Sequence, residues 1–423
     1  MEMKKAYKQT EVGIIPSDWE VKSLGECLIG RPKYGIGAAS VRYNDTLPTY
    51  LRITDISEDG RYLTNDKVSV DHPMANYYYL EDGDIVFART GASVGKTYHY
   101  ESKDGKLVFA GFLICVKPDP KILESNYLKY LVQTKSYWSW VLANSMRSGQ
   151  PGINSQQLET FNIALPPTKS EQTAIASALS DADALITSLE KLIAKKKSIQ
   201  IVVMEELVSG KKRLKGYEGK WGQFSIAEIS KTFTKQTGFD YSAYIKPKLV
   251  MKDGYNVIPF IQNKDFNERW INFNTDYYIP ENVANQFPKI LLDEKCLLIS
   301  ISGSVGKVGI FGNVKKAFLG GAIAVGKLYD KTQLDWVMCY LLSNAGQKKL
   351  LDNVKSGSHQ NLILDDIRKV YVPMPSLQER NAITDLLFDM NDEIAAFEQK
   401  LQKSRMIKQG MMQNLLKGKI RLV

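Results

Sequence analysis

The chain has 423 residues, 44% of them hydrophobic and 24% charged, a balance that suits two or three globular domains and excludes disordered, collagen-like and disulfide-scaffold classes. Lys and Arg outnumber Asp and Glu by 56 to 46, leaving a net charge of +10, which makes nucleic acid the first candidate partner without deciding it. No apolar run reaches the roughly 18 residues of a membrane span, and residues 1–19 lack the apolar core of a secretory signal.

The first predicted element is a Trp-led segment, Trp19 with Ser23, Leu24 and Glu26. Short strands follow at Thr49-Tyr50-Leu51-Arg52-Ile53 and at Asp84-Ile85-Val86-Phe87, the second leading to a Gly turn with Arg89 and Ser93-Val94-Gly95-Lys96. Residues 127–142 are a candidate helix. The loop Arg147-Ser148-Gly149-Gln150-Pro151-Gly152-Ile153-Asn154 combines a cation, flexible glycines and side-chain amides. Those groups suit phosphate and base-edge contact, and equally an ordinary polar surface loop. Pro166-Pro167 then precedes a long helix predicted from Ser170 to about Val208 and ended by Gly210. Its apolar residues recur on a heptad, one seam through Ile175, Ala182, Leu189, Lys196 and Val203, the other through Leu179, Ile186, Ile193, Ile199 and Leu207.

The second half repeats this order. Trp221 with Ser225, Ile226 and Glu228 opens it, a strand follows at Val257-Ile258-Pro259-Phe260-Ile261, and Lys295-Cys296-Leu297-Leu298-Ile299 leads to Ser304-Val305-Gly306-Lys307. A candidate helix at 334–351 precedes the loop Lys355-Ser356-Gly357-Ser358-His359-Gln360-Asn361. Beyond Pro373 and Pro375 a second long helix carries Ile383, Met390, Phe397, Ser404 and Met411 on one seam, Leu386, Ile394, Leu401, Ile407 and Leu415 on the other, and ends at Gly418. A shift of 208 positions lays Glu171 on Glu379 and Gly210-Lys211-Lys212-Arg213-Leu214 on Gly418-Lys419-Ile420-Arg421-Leu422. The chain is a tandem duplication whose unit is too long for a solenoid. The expected division is a globule at 1–165, a helix at 166–214, a globule at 215–373 and a helix at 374–423. Short strands with few helices make each globule α+β, or mixed α/β.

Each long helix is acidic first and basic last. Glu171, Asp181, Asp183 and Glu190 precede Lys191, Lys195, Lys196 and Lys197, and Asp385, Asp389, Asp392 and Glu393 precede Lys403, Arg405 and Lys408. That order complements the helix dipole, and it predicts an antiparallel coiled coil in which acid meets base. At about 1.5 Å per residue such a helix is roughly 58 Å long, a spacer that would hold the globules at its opposite ends.

No constellation for catalysis emerges. Gly91-Ala92-Ser93-Val94-Gly95-Lys96-Thr97 looks like a phosphate-binding P-loop but has three residues between its glycines where that motif needs four, and its counterpart ends in Lys307-Val308. Asp293-Glu294-Lys295 is too compact for a nuclease and has no first-half equivalent. Pro166-Pro167 lies outside any methyltransferase tetrad, and His72, His99 and His359 stand in unrelated contexts. Cys27, Cys115, Cys296 and Cys339 lack paired spacing and read as buried thiols of a reducing cytoplasm, and a metal site is not expected. The contact candidates are therefore Arg89, Ser93, Lys96, Arg147, Gln150 and Asn154 in the first half, and Ser304, Lys307, Lys355, His359, Gln360 and Asn361 in the second.

Thr10-Glu11-Val12-Gly13-Ile14-Ile15-Pro16-Ser17-Asp18-Trp19, the paired Ser-Val-Gly-Lys and Ser-Gly loops, and the helix openings Leu165-Pro166-Pro167-Thr168-Lys169-Ser170-Glu171-Gln172 and Met374-Pro375-Ser376-Leu377-Gln378-Glu379-Arg380 carry a resemblance over the whole length. The chain resembles the specificity subunits of type I restriction–modification enzymes. The resemblance implies two target recognition domains, each reading half of a bipartite, asymmetric site in double-stranded DNA, joined by an antiparallel helical spacer. It implies no catalysis in this chain. Two modification subunits would bring S-adenosylmethionine, restriction subunits would add ATP and Mg, and no membrane would be involved. A modification-only or fused system, or a non-enzymatic coiled-coil scaffold, remains the alternative.

Overall fold

The computed structural model describes residues 6–146, 149–267, 269–312, 315–352 and 361–422. Two compact units divide the chain, one formed by Met1–Glu190 with Gln399–Val423 and the other by Lys191–Glu398. Each therefore contains a globule and part of both long helices, which run Lys169–Val208 and Leu377–Leu415.

In the first unit, strand Ile85–Ala88 lies between Leu113–Val116 and Thr97–His99, antiparallel to both, and the short strand Lys33–Tyr34 pairs with the outer edge of Leu113–Val116. Ile85–Ala88 and Leu113–Val116 are buried at every position, as expected of strands covered on both faces. On one side the core takes in Trp19, Tyr127 and Tyr137 from the globule, Ile175 and Leu179 from the first long helix, and Leu415 and Leu416 from the second. A second sheet places Thr49–Leu51 parallel to Leu107–Phe109.

The second unit repeats the arrangement. Cys296–Ser300 lies between Val308–Phe311 and Ile323–Leu328, and Ser230–Lys235 pairs with the outer edge of the latter. Its core joins Trp336 and Ile299 to Leu207 and Val208 of the first long helix and Ile383 and Leu387 of the second.

Within each unit the two helix segments run antiparallel, and acid meets base. Lys408 reaches Asp183 at 2.7 Å and Arg405 reaches Glu190 at 2.8 Å in the first unit; Lys196 pairs with Glu393 and Lys197 with Glu398, both at 2.7 Å, in the second. One predicted seam needs correction. Ile199, Leu386 and Ile407 are exposed, because each lies one residue, about 100° around the helix, off the true line. The seven-residue steps run Leu179, Ile186, Ile193, Gln200, Leu207 and Leu387, Ile394, Leu401, Lys408, Leu415, with a polar residue at the same place in each. Gln200 Nε2 donates to Asn391 Oδ1 at 2.5 Å, and Lys408 lies 5.3 Å from the centre of the Tyr130 ring.

Both shorter predicted helices are broken in two. Residues 127–142 fall into Ser125–Leu131 and Lys135–Ser145, and 334–351 into Leu334–Leu342 and Asn344–Leu351. The cause is a capping hydroxyl: Thr134 accepts from the Tyr137 N–H and Ser343 from the Gly346 N–H, each starting a new helix. Among the described residues no helix is long and apolar enough to cross a membrane.

Candidate nucleic-acid interface

The two loops singled out in the first half are knitted together. At the end of strand Ile85–Ala88 the chain turns out at Arg89, whose N–H donates to Phe112 O at 3.0 Å and whose carbonyl accepts from the Ile153 N–H at 2.9 Å. Gly91 N–H donates to Pro151 O at 3.0 Å, so Arg89, Ser93 and Gln150 share one patch. The turn needs its glycine at Gly95, which has φ +85° and would drive a Cβ to 2.7 Å from Val141. The Arg89 guanidinium stacks 4.7 Å from the centre of the Tyr34 ring, with its Nε buried and unpartnered. Tyr34 Oη in turn accepts from the Ser155 N–H at 3.0 Å.

The second unit builds the same loop junction from different side chains. Ile301 N–H donates to Ala322 O and Leu362 N–H to Ile301 O, both at 2.8 Å, which are the bonds Arg89 makes. Ile301 thus stands where Arg89 stands. Thr90 bridges to Gly152 as Ser302 bridges to Asn361, so the first loops correspond with an offset of 212 and the second loops with an offset of 209, against 208 for the helices. Lys307 Nζ donates to Asn263 O at 3.2 Å, and the Ser304 carbonyl accepts from Ser300 Oγ at 2.6 Å.

Among the described residues no group of three His, Cys, Asp or Glu side chains could hold a metal ion. All four cysteines are buried; burial pushes the Cys27 thiol up to about 11 and those of Cys296 and Cys339 to about 12, far from a thiolate at neutral pH. The Gly91–Ser93 turn leads into strand Thr97–His99 and not into a helix. Asp293 and Glu294 are taken up by Lys327, Lys231 and Lys331.

The type I restriction modification DNA specificity domain matches residues 16–200 and again residues 218–404. The chain belongs to that family. It is 28% identical to the putative type I restriction enzyme MjaX specificity subunit of Methanocaldococcus jannaschii, over 98% of this chain and 97% of that one. It is 24% identical to the MjaVIII specificity subunit of the same organism, over 96% and 94%. Among solved structures, the fold matches a chain described under complex assembly and conformational transition of the type I R-M system (TM-score 0.60, 16% identity, 96% and 99% covered). It also matches the type I S subunit of M. genitalium (0.58, 15%, 98% and 99%). This specificity subunit is thus a DNA-recognition chain with two recognition domains, and catalysis is not its role.

Of the contact candidates in the specificity subunit, Gln150, Ser304, Lys307 and Asn361 are exposed, and Arg89 and Ser93 half-buried. Lys96 is not the outward cation its Gly turn suggests: its side chain is 17% exposed and pairs with Glu58 at 2.6 Å. Asn154 is occupied as a helix cap, with Oδ1 accepting from the Gln157 N–H at 2.7 Å. Arg147, Lys355, His359 and Gln360 lie outside the described residues. Sequence reasoning missed Tyr34 and Lys235, which pair with Ile114 and Ala324 at matching places on matching strands. They lie upstream, where insertions move the halves away from a 208-residue offset.

Proposed function

We propose that each unit reads one half of a bipartite, asymmetric site in double-stranded DNA, using the junction of its Ser-Val-Gly-Lys loop with the loop before a short helix, Ser155–Glu159 in the first unit and Leu364–Arg368 in the second. One observation carries this reading. The two junctions keep the same backbone hydrogen bonds but exchange Arg89 for Ile301, Thr90 for Ser302 and Gly152 for Asn361. A shared scaffold with different side chains is what two different half-sites require. Exposed apolar residues on the long helices, Ile199 and Ile407, recur at equivalent positions and support docking of two modification subunits, one per half, with restriction subunits joining them. S-adenosylmethionine, ATP and Mg would be held by those partners in the cytoplasm, and none by this chain. Mapping methylated adenines in a genome that carries the chain with its modification subunit tests the reading. A split motif with two unlike halves is expected; a single contiguous palindrome would overturn it.

A further inference from the structure

The second unit holds a cavity at the place where the side chains of the two junctions differ. It has a volume of about 590 Å³ and is lined by Lys235, Ile301, Ser302, Asn361, Ile363 and Arg368, among others. Its position follows from the loop junction: Lys235 stands where Tyr34 stands, and Ile301 where Arg89 stands. In the first unit those two side chains stack on each other; in the second, a lysine and an isoleucine cannot. Arg368 is already committed, to Asp365 at 2.8 Å and to Phe233 O at 2.6 Å. No carboxylate pairs with Lys235 among the described residues, and no hydrogen bond holds the Ser302 hydroxyl or the Asn361 amide there. The cavity therefore offers an ammonium without an ion-pair partner, a hydroxyl and an amide beside the apolar Ile363, while the Asp365 carboxylate in its wall is held by Arg368.

We infer that this cavity seats a backbone phosphate and its deoxyribose from one DNA strand, with Lys235 as the phosphate cation; the inference rests on the DNA reading above. Shape decides between backbone and base. Base edges are recessed in grooves and are read by groups that project, whereas phosphates protrude and fit a concave seat. Lysine, serine and asparagine are the residue types that contact phosphate, and the apolar wall suits the sugar. The first unit has Tyr34 at the place of Lys235 and carries its cation at Arg89 instead, so the two halves would hold the backbone from different positions.

The test is duplex binding by the full chain assembled with its modification subunits, measured across a range of salt with Lys235→Gln and Lys235→Tyr, the second restoring the first unit's residue. Both variants should bind target and non-target duplexes several-fold more weakly, flatten the plot of log affinity against log salt by about one unit, and leave the methylated motif unchanged. Lys235→Arg should keep the parent slope. An unchanged slope in both variants would overturn the seat. So would a changed motif at constant slope, which would make Lys235 a base reader. Binding of deoxyadenosine monophosphate that Lys235→Gln abolishes, without any change in salt slope, would mark a small-nucleotide site and also overturn it. If the parent assembly shows no preference for any duplex, the DNA reading itself fails, and the seat with it.

Discussion

Glu171, fully buried in the opening turn of the first long helix, is held by Arg421, which lies just beyond the end of the second; Arg421 Nη2 donates to Glu171 Oε2 at 2.5 Å. The same clamp appears in the other unit with the helices exchanged. There Arg213 donates from Nη2 to Glu379 at 2.7 Å, and each arginine also stacks over the Trp that opens its globule, Trp19 or Trp221, at 5.8 and 5.2 Å. A buried carboxylate with one cation is tolerable only while the cation stays.

Arg421 also donates to Asp18 at 3.1 Å where Arg213 donates to Gly219 O at 2.9 Å, but the difference that reaches the buried carboxylate is at the indole, and it sets an order of sensitivity. Trp221 Nε1 donates to Glu379 at 3.0 Å, whereas Trp19 Nε1 is buried without a partner. Arg421→Ala should destabilise the first unit by about 3–5 kcal/mol, the cost of stranding a buried charge. Arg213→Ala should cost about 1–2 kcal/mol less, since a hydrogen bond to the charged Glu379 survives. Denaturant unfolding of the full chain, followed by Trp fluorescence, reads both; equal losses would show that the indole bond contributes nothing.

Each helix stops at a left-handed glycine packed on its clamp tryptophan. Gly210, with φ +73°, would place a Cβ 3.2 Å from the Trp221 ring; Gly418, with φ +63°, would place one 2.4 Å from Pro16 Cγ. Gly210→Ala should cost about 1–2 kcal/mol from backbone strain. Gly418→Ala should cost visibly more, because the proline ring must also move. Similar unfolding midpoints for the two variants would contradict this.

Much of this was legible in the sequence, for physical reasons that also mark its limit. Local signals were read correctly: proline before each long helix, glycine after it, and acid-first, base-last charge that selects the antiparallel pairing later seen at Asp183–Lys408 and Lys196–Glu393. Signals that compete locally were misread. A hydrophobic seam drawn through Ile199 and Ile407 looks better than one drawn through Gln200 and Lys408, yet the polar pair keeps the seven-residue step, and tertiary partners satisfy it. The interface was legible only as loops. That Tyr34 packs on Arg89, or that Lys235 and Ile301 line a cavity, depends on strand pairing between residues far apart in sequence, which no local pattern encodes.

His99 gives the first unit an acid-sensitive point. Burial, followed by the nearby Lys129, pushes its imidazole from 6.5 down to about 4, and its Nε2 meets Ser125 Oγ at 3.2 Å. With the folded value below the unfolded one, the unfolded chain takes the proton first. The stability present above about pH 6.5 is therefore lost as pH falls toward about 4, a loss on the order of 3 kcal/mol. His99→Gln, which keeps a donor for Ser125, should flatten unfolding midpoints measured between those pH values; an unchanged slope would mean that His99 is not the group responsible.

The last prediction concerns residues 1–214 alone. In the full chain, Ile175 and Leu179 share a core with Met411, Met412 and Leu415 of the second helix and the adjoining Leu416, which this piece lacks. A second copy offers Val203, Met204, Leu207 and Val208 at the equivalent places, and its Arg213 at the place of Arg421. Two copies can therefore close each other's cores and clamp each other's Glu171. What changes is the charge pairing: Lys197 would replace Arg405 opposite Glu190, and Gln200 would replace Lys408 opposite Asp183. Those pairs, partly open to solvent, contribute only about 1 kcal/mol each, against about 1.5–3 kcal/mol for each large apolar side chain buried, so the core decides in favour of a dimer. Such a homodimer is symmetric and presents the first unit's loops twice. With its modification subunit it should methylate an inverted repeat of the first half-site, and its affinity should fall on dilution. Sedimentation and methylation mapping of this piece check both points: a strictly monomeric piece would show that the second helix is irreplaceable, and methylation at the original asymmetric site would refute the assignment of one half-site to each unit.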